Sequence, residues 1–171
     1  MLTKRQTNRD AYNPIRWLTM TRLVGMEDSA DRGQPGDLQW FYHHMERSDV
    51  TIQAAVARRL AFLDSVDWEI RQVENADPAL AAEQADFLRY AYDRIANFKE
   101  AARNLARSLF CGVCHLEKSY TGYGNLVNRL ELIEPWYWVR PPKYPDWRFN
   151  PDARSTEQVG EAVQRDHLCI M

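Results

Sequence analysis

Five consecutive residues, Cys111-Gly-Val-Cys114-His115, have the residue types and spacing best suited to chemistry in this chain. Two thiols three positions apart, followed at once by an imidazole, form the pattern that holds a c-type haem. The sulfurs make thioethers to its vinyl groups and His115 ligates iron. Such attachment follows export, and the opening residues 1–10 lack the apolar run of an export signal. A zinc reading adds His167 and Cys169, which on a strand share one face and complete a nitrogen and sulfur donor set. The thiol pair, however, spans a predicted helix end and strand start, which makes a poor zinc knuckle. Thioredoxin-like redox chemistry needs the reverse order, a strand opening into a helix. The structural alternative is a glycine that stops a helix at Gly112 and small thiols that fill a buried corner.

The other titratable groups form no pair that can share a proton. His43 and His44 are adjacent on a predicted helix and point about 100° apart, so they cannot chelate together. Glu69, Glu131 and Glu134 fall on predicted strands, where a solvated face accounts for them. Arg58 and Arg59, with Arg103 and Arg107 one turn apart on another helix, can either contact phosphate or lie on a solvated face.

The elements that must position these groups follow from periodicity and breakers. Residues 1–16 are polar and basic, contain Asn13-Pro14 and read as a flexible arm. Residues 19–30 can form a short helix weakened by Gly25, and Gly33-Gln-Pro-Gly36 ends it. Asp37–Arg47 reads as a helix with Trp40, Phe41 and Met45 available for burial, and Ser48-Asp49 supplies a cap for the next one. There Ile52, Val56, Leu60 and Leu63 mark one face. Val66, Trp68 and Ile70 alternate with Asp67 and Glu69 as in a half-buried strand. Asp77-Pro78 opens a helix with the stripe Leu80, Gln84, Phe87, Ala91 and Ile95. Asn97 caps another, with the stripe Phe98, Ala102, Leu105 and Leu109, which Gly112 ends. Strands over 113–120 and 126–134 are joined by Thr121-Gly-Tyr-Gly-Asn125, whose glycines can take the positive φ of a hairpin, and residues 167–171 begin one more strand. This order gives an α+β fold in which helices pack on an antiparallel or mixed sheet. Residues 1–36 form an N-terminal arm and short helix, and 37–171 form the α+β domain.

Composition excludes several classes. At 171 residues, with 22 basic and 24 acidic side chains, the chain is large enough for a real core and not basic enough to bind nucleic acid by charge alone. No window reaches the roughly 18 apolar residues of a membrane helix. Three Cys are too few for a disulfide framework, so reduced thiols and a cytosolic setting are expected.

Residues 131–152 are the most distinctive stretch, with three of the six Trp and five of the eight Pro. Prolines bounding aromatic pieces read as short edge strands and turns, without a nucleophile, metal box or phosphate loop. Such a segment presents a stiff aromatic surface to a core or a partner.

Ordered similarity now becomes visible. The passage Ala54 to Ile70, the segment 131–152 and, more weakly, Asn13-Pro14-Ile-Arg16 together resemble the Mu-like portal proteins of tailed bacteriophages. In that family a long helix runs into an Asp-Trp-Glu strand, here Asp67, Trp68 and Glu69. A helical pair then leads through a glycine at the helix end into a Glu-containing strand, here Gly112 and Glu117. A proline- and aromatic-rich strand follows, here Pro135, Trp136 and Trp138, ending near Phe149 and Asp152. Cys111 and Cys114 depart from the family pattern. The resemblance covers the N-terminal, wing-like part and implies a chain truncated before the stem region. It implies a non-enzymatic structural protein that needs no cofactor. It further implies ring self-assembly at a capsid vertex, with terminase and head or tail proteins as partners. Double-stranded DNA passes through such a channel without sequence specificity, and the expected location is the virion and the host cytoplasm.

Overall fold

A computed structural model describes residues 16–72, 77–122, 126–152, 159–164, 166 and 168–170. The flexible arm expected over residues 1–15 lies outside them, as does His167.

The chain opens with α1 (Met20–Asp31), capped by the Thr19 hydroxyl, which accepts from the Arg22 N–H. Gly25 sits inside α1 with open space beside it, so it is tolerated there. Gly33 ends the passage at φ 81°, and its carbonyl accepts from the Arg140 N–H at 2.7 Å. This bond ties the first turn to the aromatic segment more than a hundred residues later. α2 (Gly36–Ser48) buries Gln39, Trp40 and Phe41, and α3 (Val50–Asp64) follows after one residue. Of the expected Ser48-Asp49 pair, Asp49 caps α3, its carboxylate accepting from the Thr51 and Ile52 N–H groups, while Ser48 ends α2. The buried side of α3 is centred on Val56, with Ile52 and Leu60 half-buried beside it.

Val66–Ile70 departs from expectation. It forms no strand and pairs with none among the described residues, and Val66 and Trp68 are exposed. Alternation describes any extended segment beside an apolar surface, whereas a ladder needs a partner edge. Trp68 instead meets Tyr92 and Phe98 edge-on or tilted, at 5.5 and 5.1 Å between ring centroids.

α4 (Pro78–Asp93) starts as its sequence predicts, with Asp77 capping Ala79 and Leu80 and Pro78 in the first turn. Its burial is the reverse of the expected stripe. Ala81 and Ala85 are the buried residues, while Leu80 and Phe87 face outward. α5 (Phe98–Ala106) buries Ala101 against β1 (His115–Tyr120) and β2 (Val127–Ile133). The long helix expected here breaks at Arg107 into the single turn α6 (Ser108–Cys111). The break turns Ser108 inward and leaves Leu109, placed on the core stripe by periodicity, 80% exposed. Gly112 closes α6 at φ 81° as a left-handed cap.

β1 and β2 form the predicted antiparallel hairpin, with Glu117 opposite Glu131 and His115 opposite Ile133. Thr121 N–H donates to the Leu126 carbonyl and closes the connection. Gly122 does not take a positive φ, and Gly124 lies outside the described residues. β6 (Leu168–Ile170) pairs antiparallel with the other edge of β1, giving the order β2-β1-β6. The aromatic segment forms a second antiparallel sheet, β3 (Trp138–Val139), β4 (Arg148–Phe149) and β5 (Glu161–Ala162), in that order. The expected α+β class is therefore present, and both described sheets are antiparallel.

Two cores result. One gathers Ile133, Tyr137, Trp138, Phe149 and Leu168 between the sheets, and the other gathers Ala101, Cys114, Leu116 and Leu130 beneath α5.

Candidate functional site

The Cys-x-x-Cys-His passage lies where α6 turns into β1. Cys111 is the last residue of α6, Gly112 reverses the chain, and Cys114 leads directly into His115, the first residue of β1. The strand alternation separates the side chains of Cys114 and His115, which pack on different cores. Cys114 joins the cluster beneath α5. The His115 imidazole lies flat on the Trp138 indole at 4.0 Å and meets Trp147 edge-on at 5.1 Å. His115 is fully buried, and neither ring nitrogen has a hydrogen-bond partner.

Burial sets the protonation state of each of these groups. It pushes the His115 pKa down to about 3, so the ring is neutral at pH 7. It raises the Cys114 thiol to about 11, with Cys111 adding to the shift, and it raises the Cys111 thiol against the opposing charge of Arg107. A protonated thiol is a weak nucleophile and a weak metal donor. Among the described residues no three His, Cys, Asp or Glu side chains are placed to hold a metal ion together. His167 and the side chain of Cys169, the remaining donors of the zinc reading, lie outside the described residues.

A cleft of about 350 Å³ opens beside this corner, lined by α2, α5, α6 and the end of β2. Trp40 on α2 meets Trp136 nearly perpendicular at 5.0 Å, and His43 tilts against Trp136 at 4.9 Å. His43 also stacks on Trp40, and its pKa is lowered by burial and then by the neighbouring Arg47 charge. The Arg107 guanidinium donates to the Glu46 carboxylate at 2.5 Å across the cleft. Arg107 is thus an internal ion-pair partner of α2 and not a member of the arginine cluster suggested by spacing. Gln39 donates its amide to the Cys111 carbonyl at 2.7 Å, while its buried side-chain oxygen has no donor. The cleft therefore presents aromatic walls, one satisfied ion pair and neutral thiols, an arrangement suited to packing an apolar group. Spacing gave no sign of it, because Gln39 and Glu46 on α2, Arg107 and Trp136 come from three separate segments.

The other residues singled out by sequence are dispersed. Asp67, Trp68 and Glu69 lie in the stretch that forms no strand among the described residues. Glu117 is buried on the central strand β1. Pro135 opens a short 3-10 turn through Tyr137 that carries Trp136 into the cleft. Trp138 and Phe149, both fully buried, meet edge-on at 5.8 Å, and the Trp138 indole N–H donates to the Ile133 carbonyl at 3.3 Å. Asp152 is half-buried, and its backbone N–H donates to the Asn150 side chain. A chain of ring contacts thus runs from Trp40 through Trp136, Tyr137, Phe149 and Trp138 to His115, locking α2 to both sheets.

These features define an α+β scaffold whose aromatic residues hold helices and sheets in register. The sequence model of one family, described as the portal protein of Mu bacteriophage, matches residues 39–168. The chain belongs to that family. No curated protein matches the chain. The match begins within α2, runs through both sheets and ends in β6. Among the described residues no helix is long and apolar enough to cross a membrane.

Proposed function

We propose that this chain is a structural, non-enzymatic part of a phage portal, corresponding to its wing-like region. In this reading copies assemble into a ring at one capsid vertex. The ring surrounds the channel through which double-stranded DNA is packaged and ejected, without sequence specificity, and it docks the terminase and the head and tail proteins. The protein would be found in the virion and, before assembly, in the host cytoplasm. The observation that carries the reading is the family match across residues 39–168. The burial of the thiols and His115 is in keeping with it, since neither is poised for attack or proton transfer at neutral pH. Light scattering and negative-stain imaging of the purified protein, with binding assays against terminase and head and tail proteins of a Mu-like phage, test it. Closed oligomers and at least one such partner are expected. A chain that stays monomeric at high concentration and binds none of them contradicts the proposal.

A further inference from the structure

Two helices each leave a further face open, a mixed one with a single large apolar side chain on α3 and an apolar one on α4. On α3 the buried side is centred on Val56, yet the exposed Phe62 stands on another side, in helical register with Ala55, Thr51 and Arg58, all of them exposed. Phe62 is 68% exposed. On α4, Ala81 and Ala85 face the domain, while Leu80 and Phe87, 54% and 56% exposed, line an open groove with Glu83 and Leu88. Leu80 and Phe87, repeating along one face of α4, are the usual material of a helix-to-helix contact, and Phe62 on α3 is an apolar side chain that such a face can cover.

The charges beside the two faces are opposite. Among the described residues Arg58 and Arg59 on α3 have no ion-pair partner, and neither does Glu83 on α4. Asp86, by contrast, is held by Arg89 of its own helix at 2.7 Å. The two helices have nearly equal lengths, 15 and 16 residues, so they can lie along one another for their whole extent. Each face thus supplies what the other lacks.

We infer that the α4 face of one copy packs on the α3 face of a second copy, with Glu83 near Arg58 and Phe87 and Phe62 in the shared apolar seam. The inference rests on the ring reading above and assigns a surface to it. Made once between two copies, the contact is head-to-tail and leaves the α3 face of the first copy and the α4 face of the second unused. Repetition of such a contact closes a ring when the rotation allows it.

The test is charge reversal read by sedimentation equilibrium over graded concentrations. R58E and E83R are each expected to weaken self-association at least fivefold, and R58E/E83R to restore it to within about twofold of the parent. F87S is expected to weaken it more than tenfold while leaving the melting temperature of the dilute monomer unchanged. Association untouched by all of these variants overturns the inference and leaves the ring reading standing. Weakening by the single reversals without rescue by the double one overturns the pairing of these two faces. A lowered melting temperature for monomeric F87S places a segment of the same chain on α4 and also overturns it. A parent chain that stays monomeric at every concentration overturns both this inference and the ring reading.

Discussion

The imidazole of His115 lies parallel to the indole of Trp138, with centroids 4.0 Å apart and planes inclined by 15°. A ring held this way, fully buried and without a partner on either nitrogen, acts as a flat apolar plate that tolerates no charge.

Stability should therefore fall with pH through this one residue. The unfolded chain takes up a proton on His115 near pH 6.5 and the folded chain near 3, so the native state is favoured above 6.5 and loses that advantage as pH drops toward 3. The slope is about 1.4 kcal/mol per pH unit, or roughly 4 to 5 kcal/mol across the window. Urea denaturation of the parent and of H115F at several pH values checks it. The stability difference between the two should change with pH by this slope, and a pH-independent difference would count against a buried neutral imidazole.

Asn97 was expected to cap α5, but it makes no cap bond. Its side chain instead pairs with Leu130 of β2 in both directions, donating to the carbonyl at 2.7 Å and accepting from the N–H at 3.0 Å. N97A leaves both backbone groups of Leu130 without their partner and is expected to cost about 2 to 3 kcal/mol in denaturant unfolding. N97D keeps the acceptor, loses the donor and should fall between N97A and the parent.

Gly33 and Gly112 share φ 81° and differ in their surroundings. A Cβ at Gly112 meets open space, so G112A should cost about 1 kcal/mol, the strain of a left-handed residue alone. A Cβ at Gly33 falls on the Arg140 carbonyl, and the backbone there must move. G33A is therefore expected to lower stability by more than about 2 kcal/mol and to break the Gly33–Arg140 bond. Thermal melts of the two variants should rank them in that order.

The thiols should resist alkylation. With its pKa near 11, Cys114 at pH 8 carries about a hundredfold less thiolate than a thiol of ordinary pKa, and burial slows access further. Iodoacetamide labelling followed by mass spectrometry should modify Cys114 only after denaturant is added. Rapid labelling of the folded protein would show the α6–β1 corner to be open.

The parts legible in the sequence are those that depend on neighbours along the chain. Asp49 and Asp77 cap the helices that follow them because a carboxylate reaches the next turn's N–H groups whatever surrounds it. Gly112 ends a helix because only glycine takes φ 81° there without strain. Paired patterns around a short loop made β1 and β2 a hairpin, and ordered blocks from the Asp67-Trp68-Glu69 passage to Phe149 were enough to place the family.

What tertiary structure decided is sidedness and pairing across long separations. Periodicity put Leu80 and Phe87 on one stripe of α4, but that stripe faces outward and the small side chains of Ala81 and Ala85 are the ones covered. Val66–Ile70 has the alternation of a strand, and no described strand lies beside it to complete a ladder. Arg107 bonds Glu46, sixty-one positions away, which turns a suspected surface cation into the inner bolt of the cleft. The spacing of Cys111, Cys114 and His115 announced a ligand set. The helix-to-strand turn sends Cys114 and His115 into different cores, because alternate strand residues point to opposite faces and each finds its partners in distant parts of the chain.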